Sequence, residues 1–394
     1  MQKRILVLAV TAAISASAAF AETANVNVYG VANVSVDVVN NGSTSVNKVS
    51  SNASRLGFKG AEDLGNGLKA VWQVESLINL DGSGTSTLGT RNTYAGLNSE
   101  SLGTVLLGRH DTPYKLASRK LDVFADTIAD NRSLLGGVSA SAATLAAAAL
   151  PAGGLGATGA SAGASFDGRQ PDVLAYLSPT INGFTAAAAY VAGAEAVTSS
   201  AQTKGSAWSL AGWYDAGPFY GSLAYEVHDY GTTGATATGD LGPVTGALLG
   251  DLAGKKESAW KLGASYRAEA FEVNAVYEQT SDNLTKTTNA DLFGHKVAYL
   301  SGKYNIGSDA VKAAYTRVGN LAGGTGTTKA NQLSVGYDHS LSKRTTVYAL
   351  YTKLSNGDSA KYGLSSASVS TGATAASALD ADPSAWSLGL KHTF

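Results

Sequence analysis

The sequence predicts an all-β chain, a 16-stranded antiparallel transmembrane β-barrel with short turns at one end and long loops at the other. Three observations carry that expectation. Apolar and polar residues alternate with a period of two along runs longer than most soluble strands, short and long connections alternate along the chain, and the last alternating run ends on the terminal residue itself.

The first 21 residues read as a signal peptide. A short basic start (Lys3, Arg4) precedes an apolar run from Ile5 to Val10 that continues to Ile14, and Ala19, Phe20 and Ala21 form a small-x-small cleavage site. The expected mature unit is 22–394, a single outer-membrane barrel. Losing Lys3 and Arg4 takes the 29 basic residues to 27 against 30 acidic ones, a net charge of −3, which fits neither a nucleic-acid binder nor an acidic tail. No cysteine is present to staple a chain that leaves the reducing cytoplasm. The 46 glycines and 18 tyrosines point to strands and turns rather than helices. Beyond the leader no stretch of about twenty apolar residues occurs, so no ordinary membrane helix is expected.

In the first mature strand Val26, Val28, Gly30, Ala32, Val34, Val36 and Val38 are apolar or small, against Asn27, Asn33, Ser35 and Asp37 on the other face. The same pattern sets Leu68, Ala70, Trp72 and Val74 against Lys69, Gln73 and Glu75. It recurs with Phe219, Leu223 and Tyr225 against Tyr220, Ser222 and Glu226. Further on, Trp260, Leu262 and Tyr266 oppose Lys261, Gly263 and Ser265, and Phe271, Val273 and Tyr277 oppose Glu272, Asn274 and Glu278. At the end, Trp386, Leu388, Leu390, His392 and Phe394 oppose Ser387, Gly389, Lys391 and Thr393. A strand running to the last residue implies a docked neighbour there.

Seven short links (62–67, 98–103, 178–183, 215–218, 267–270, 305–309 and 338–343) alternate with eight longer stretches near 40–51, 79–90, 111–167, 193–204, 230–256, 281–293, 319–329 and 355–382. They separate sixteen strands. A soluble barrel has no reason to lengthen every second connection, whereas an outer-membrane barrel has short periplasmic turns and long outer loops. The greasy face then meets lipid, the polar face lines a lumen, and the last strand pairs with the first.

Five segments together resemble the general porin family of Gram-negative bacteria, in its proteobacterial branch: VNVYGVAN (26–33), SRLGFKGAEDLGNGLKAVWQVE (54–75), RNTYAGLNSESLGTVLLGRHDTPY (91–114), YLSPTINGFTAAAAY (176–190) and LGLKHTF (388–394). The resemblance implies a homotrimer of sixteen-stranded barrels, with the third long loop, 111–167, folded into each lumen as a constriction. It implies passive diffusion of small hydrophilic solutes and ions across the outer membrane. It further implies basic wall residues facing acidic loop residues: Arg55, Arg109 and Arg169 by their motifs. Strand phase places Arg55 and Lys59 opposite Leu56 and Phe58, in support, whereas Arg109 shares the phase of Val105 and Leu107 and needs a local bulge to face inward.

Asp122, Asp126 and Asp130 recur every four residues in KLDVFADTIADNR and would share a face if that segment is helical. They are the candidate acidic side of a transverse field, and a solvated loop face is the alternative. The wall cations lead to the expectation of a weakly anion-preferring channel. The loop lacks the PEFG-like tip frequent in the family. It continues into an Ala/Gly-rich run, 134–165, that suits a flexible or partly helical extension near the pore or trimer mouth. Gly154, Gly156 and Gly159 formally match a dinucleotide fingerprint but lack the strand and helix around it.

No enzyme, cofactor or metal is expected. The five histidines are scattered, no serine or cysteine nucleophile motif occurs, and His228 beside Glu226 reads as a solvated pair. The expected partners are the homotrimer, outer-membrane lipid and small solutes, with no nucleic acid. The competing reading is an adhesin or structural barrel without an open pore, which would conduct no ions.

Overall fold

Alternation of this length leaves one arrangement in which every backbone amide is paired and no strand edge faces lipid, a sheet closed on itself. A computed structural model of the chain describes residues 26–83, 87–136, 166–192, 205–229, 254–283, 289–324, 326–364 and 376–394. The expected signal peptide, the glycine fingerprint and nearly all of the Ala/Gly-rich run lie outside the described residues.

The strands are β1 (Asn27–Asn40), β2 (Ser45–Ser51), β3 (Arg55–Gly65), β4 (Leu68–Leu77), β5 (Thr93–Ser99), β6 (Gly103–Asp111), β7 (Arg169–Leu177), β8 (Phe184–Ala192), β9 (Ser206–Ala216), β10 (Phe219–Asp229), β11 (Lys256–Arg267), β12 (Phe271–Asp282), β13 (Lys296–Ile306), β14 (Asp309–Val318), β15 (Ala330–Ser340), β16 (Thr345–Asn356) and β17 (Ser384–Thr393). Each pairs antiparallel with its neighbours, and β17 closes on β1. The segments β2 and β3 are two halves of one stave, since both pair with β1, so seventeen segments make the sixteen-stranded barrel.

Their junction is a bulge. Asn52 N–H donates to the Asn33 carbonyl at 2.7 Å, Ser54 Oγ bonds both backbone groups of Asn33, and Ala53 takes φ +52°. Before the break Lys48 and Ser50 sit opposite Asp37 and Ser35; after it Arg55 and Gly57 sit opposite Val31 and Tyr29. The inward phase therefore passes from even to odd residues, the re-aiming that bulges impose on a strand.

Burial is inverted relative to a soluble protein. Trp386 and Leu388 are each 64% exposed while Asn33, Asp37, Asn274 and Glu278 are fully covered. The greasy phase faces out and the polar phase faces in, as expected for a barrel in lipid. At the end of the chain, Gly30 N–H donates to the Phe394 terminal oxygen at 3.0 Å and Phe394 N–H to the Gly30 carbonyl at 3.1 Å. A Cβ on residue 30 would lie 2.4 Å from the Phe394 ring, so glycine makes the seat on which the last aromatic lies.

The chain after β6 turns against the inward faces of the strands. It forms a short helix α1 (Pro113–Leu116), capped by Thr112, and two 3₁₀ turns at Arg119–Leu121 and Asn131–Ser133. Leu121, Phe124, Ile128, Leu134 and Leu135 pack on the inward residues Tyr220, Val276, Tyr299, Tyr348 and Leu350. Burying side chains of this size contributes roughly 1.5–3 kcal/mol each. The wall makes room for them: a Cβ at Gly263 would come within 2.6 Å of Leu121, and one at Gly336 within 2.8 Å of Phe124.

Both ends of this insertion are held on β9 to β12. Tyr114 Oη donates to Glu278 at 2.8 Å, Gly136 N–H donates to the same carboxylate at 2.7 Å, and Lys261 pairs with Asp167 and, at 3.4 Å, with Glu278. Phe166 stacks on His228 with centroids 4.7 Å apart. His228 lies fully buried between Glu226 at 2.9 Å and Glu257 at 2.7 Å. That corrects the solvated-pair reading: sequence phase shows the shared face but not the loop that covers it.

Candidate functional site

The bulge at Asn52–Ser54 aims Arg55 at the inserted loop. Its guanidinium donates to the Asp126 carboxylate at 3.0 Å and to the Ala53 carbonyl at 3.1 Å, while Asn33 Nδ2 donates to the Asp126 carbonyl at 2.8 Å. One wall cation and one loop anion from the sequence-derived set therefore meet directly.

Asp122, Asp126 and Asp130 do not share a helix face. Asp126 takes φ +60°, which a right-handed helix excludes, and the three carboxylates converge instead on Arg119. Arg119 reaches Asp130 at 2.6 Å, Asp126 at 3.2 Å and Asp122 at 3.6 Å, and Arg132 adds a 3.1 Å contact to Asp130. Asp122 is further held by Tyr299 Oη and the Phe124 N–H, both at 2.9 Å, and by the Asn131 N–H at 3.0 Å. Nothing in the spacing of the aspartates pointed to Arg119; its position three residues before Asp122 was the available signal.

These pairings set the charges. Burial would raise Asp126 and Asp130, but Arg119, with Arg55 on the first and Arg132 on the second, outweighs it and holds both carboxyls below the usual range. For Asp122 burial and the neighbouring Asp130 carboxylate prevail over Arg119, and it is raised to about 6.

Arg169 belongs to a second group. Its guanidinium donates to Asn92 Oδ1 at 2.6 Å and pairs with Asp111 at 3.0 Å, and Lys115 pairs with Asp111 at 2.9 Å. Nearby, Arg91 bonds Glu75 at 2.5 Å, and Tyr29 Oη donates to the same carboxylate at 3.0 Å. Sequence reasoning passed over Arg91, although RNTYAGL carried part of the resemblance. Arg109 makes no ion pair within 4 Å among the described residues, although Asp111 acts on it through space. The register shift beside it places Pro171 and Asp172 of β7 opposite a single residue of β6, so Arg109 keeps the phase of Val105 and Leu107 and donates to the Thr90 carbonyl at 3.1 Å. Lys59 is exposed, with its Nζ 5.2 Å from the Tyr29 ring centroid. Lys391 lies opposite Asn33 on β17, in the phase of the buried Ser387. Neither lysine has a carboxylate within 4 Å among the described residues.

The profile of the Gram-negative porin family matches residues 7–359. The chain belongs to the Gram-negative porin family. This porin is an outer-membrane diffusion channel for small hydrophilic solutes and ions. It is 26% identical to outer membrane porin protein 32 of Delftia acidovorans, over the full length of both chains. It is 43% identical to the major outer membrane protein P.IA of Neisseria meningitidis serogroup C over 89 residues, 23% of this porin and 22% of that protein. Among solved structures, the anion-selective porin from Comamonas acidovorans aligns with a TM-score of 0.73 at 23% identity, over 94% of this chain and all of that one, a likeness of fold. OmpF of Salmonella typhi aligns at 0.64 and 16% identity, over 95% and 99% of the two chains.

Proposed function

We propose that this porin is an anion-preferring channel in which loop 111–167 narrows the lumen. The observation that carries the preference is a local imbalance around the loop's contact with Arg55; away from it Lys261 faces two carboxylates, Asp167 and Glu278, and His228 another two, all buried behind the loop. The three loop aspartates are met by Arg55, Arg119 and Arg132, while Lys59 and Lys391 on the wall have no carboxylate within 4 Å among the described residues. Arg169 and Lys115 share one carboxylate, Asp111; burial lowers Lys115 to about 7, so the positive excess of that group is partial at neutral pH and grows on acidification. Anions passing such a wall are favoured over cations by charge that no carboxylate within 4 Å pairs, Lys391 acting on Asp126 only at longer range. The Comamonas acidovorans porin, which shares the fold, is itself anion-selective.

In this reading Arg55, Lys59 and Arg169 are the basic side of the constriction, Arg91 and Lys391 extend it, and Asp126 is the principal acidic contact. Asp122 and Asp130 hold the loop in shape, and Arg109 stays at the edge. The chain assembles as a homotrimer after cleavage of residues 1–21 and performs no catalysis. The test is the zero-current potential of the refolded channel under a potassium chloride gradient. An anion-signed potential that moves toward zero in Arg55→Ala and in Lys59→Gln supports the assignment. A wild-type potential of cation sign defeats it.

A further inference from the structure

Beneath the inserted loop, on the side of the short β15–β16 turn, lies a cavity of about 310 Å³ that combines four basic side chains with neutral hydrogen-bond donors. Short turns of these barrels face the periplasm, so the Lys343 and Arg344 end of the cavity lies on that side. Lys391 from β17, Lys343 and Arg344 from the turn, and Lys312 from β14 line it, together with Asn33 and Thr346. In the sheet Lys391 lies directly between Asn33 and Thr346, which brings one cation and two neutral polar groups to a single point of the wall.

Two acids also line the cavity, and both are engaged. Asp338 pairs with Lys312 at 2.8 Å, and Asp122 is held by Tyr299, the Phe124 and Asn131 amides and Arg119. Lys343, Arg344 and Lys391 have no carboxylate within 4 Å among the described residues. A small halide needs charge alone, whereas a tetrahedral oxyanion carries several acceptor oxygens that reward converging donors. The volume falls at the lower end of pockets that hold small molecules.

We propose that this cavity is a binding station for phosphoryl oxyanions on the periplasmic side of the loop, with Lys391, Arg344 and Lys343 as its charged donors. The proposal rests on the anion-preferring reading above and adds a solute class to it. Its consequence is saturable, side-dependent occupancy: phosphate entering from the periplasmic end lodges beneath the loop and slows chloride.

The test uses the full refolded channel in a planar bilayer, with inorganic phosphate added to each chamber in turn during chloride conduction. In a parallel series glycerol phosphate replaces inorganic phosphate, to separate the free anion from the phosphoryl group of an organic solute. Saturable block from one chamber is expected, and stronger block by the ester would assign the station to organic phosphates. In Lys391→Gln/Arg344→Gln the half-blocking concentration should rise roughly tenfold or more, the scale of losing charge-assisted hydrogen bonds. Lys59→Gln, a wall cation outside the cavity, should shift the zero-current potential yet keep the block, a distinction that general wall charge would not produce. Block that is absent, equal from both chambers, or unchanged in the double variant overturns the station while leaving an anion-preferring pore intact. A cation-signed wild-type potential would instead overturn the underlying reading.

Discussion

At the scale of single residues, Arg55 has two roles, as a wall charge and as one end of a tie to Asp126. Removing a unit charge about 8 Å from an ion path in water changes each ion's energy by roughly 0.5 kcal/mol, in opposite directions for chloride and potassium. Arg55→Ala should therefore lower the chloride to potassium permeability ratio by roughly two- to five-fold, measured as a reversal potential. Asp122 gives a pH signature. Its carboxyl, raised to about 6, is mostly ionised at pH 7 and mostly neutral at pH 5, while Asp126 and Asp130, held low, stay charged. Acidification from pH 7 to pH 5 should neutralise Asp122 while Lys115, lowered by burial to about 7, completes its protonation; both raise anion preference, and Asp122→Asn should abolish the part of the change centred near pH 6. The stability signs differ. A raised carboxyl loses stabilisation as pH climbs from about 4 toward 6, whereas the two depressed ones contribute above about 4 and lose it only as pH falls through their folded values.

At the scale of elements, the inserted loop is a packed object. Phe124 is fully buried, it sits where Gly336 leaves room, and Lys312 lies 4.9 Å from its ring centroid. Phe124→Ala should cost roughly 3–5 kcal/mol of docking, seen as noisier open-channel current with the barrel still folded. Quiet current in that variant would show that the loop is held by its ionic clamps alone. The sequence showed the strands far better than this loop. Alternation in β1, β10 to β12 and β17 is a local property, readable residue by residue. The loop's form depends on a left-handed Asp126, a convergence on Arg119 and contacts to strands more than 150 residues away, none of which a spacing of four encodes. Arg55 was legible because its phase after the bulge is local, and Arg91 was missed because it precedes β5, outside the alternating phase, and meets Glu75 of the neighbouring β4.

At the scale of the molecule, the barrel closes where Phe394 lies on Gly30 beside the β1–β17 ladder. Deleting Phe394 removes two backbone hydrogen bonds to Gly30, each worth roughly 0.5–1.5 kcal/mol, and the ring that fills the space above that glycine. The truncated barrel should unfold at a lower temperature, followed as the loss of the compact band of unheated samples on gel electrophoresis in SDS. An unchanged transition would mean that the β1–β17 ladder closes the barrel without its last residue. The inverted burial of the wall and the occupied lumen belong to one design, in which an outer apolar band meets lipid while the inner polar face carries charge.

The central claim is that unpaired wall cations outweigh a loop whose aspartates are already matched, so the open pore favours anions. The zero-current potential of the refolded wild-type channel in a planar bilayer, under a potassium chloride gradient at neutral pH, tests it most directly. Stepwise, ohmic openings with a potential of anion sign are the predicted result. Openings of cation sign, or silence from a folded and inserted channel, would contradict it.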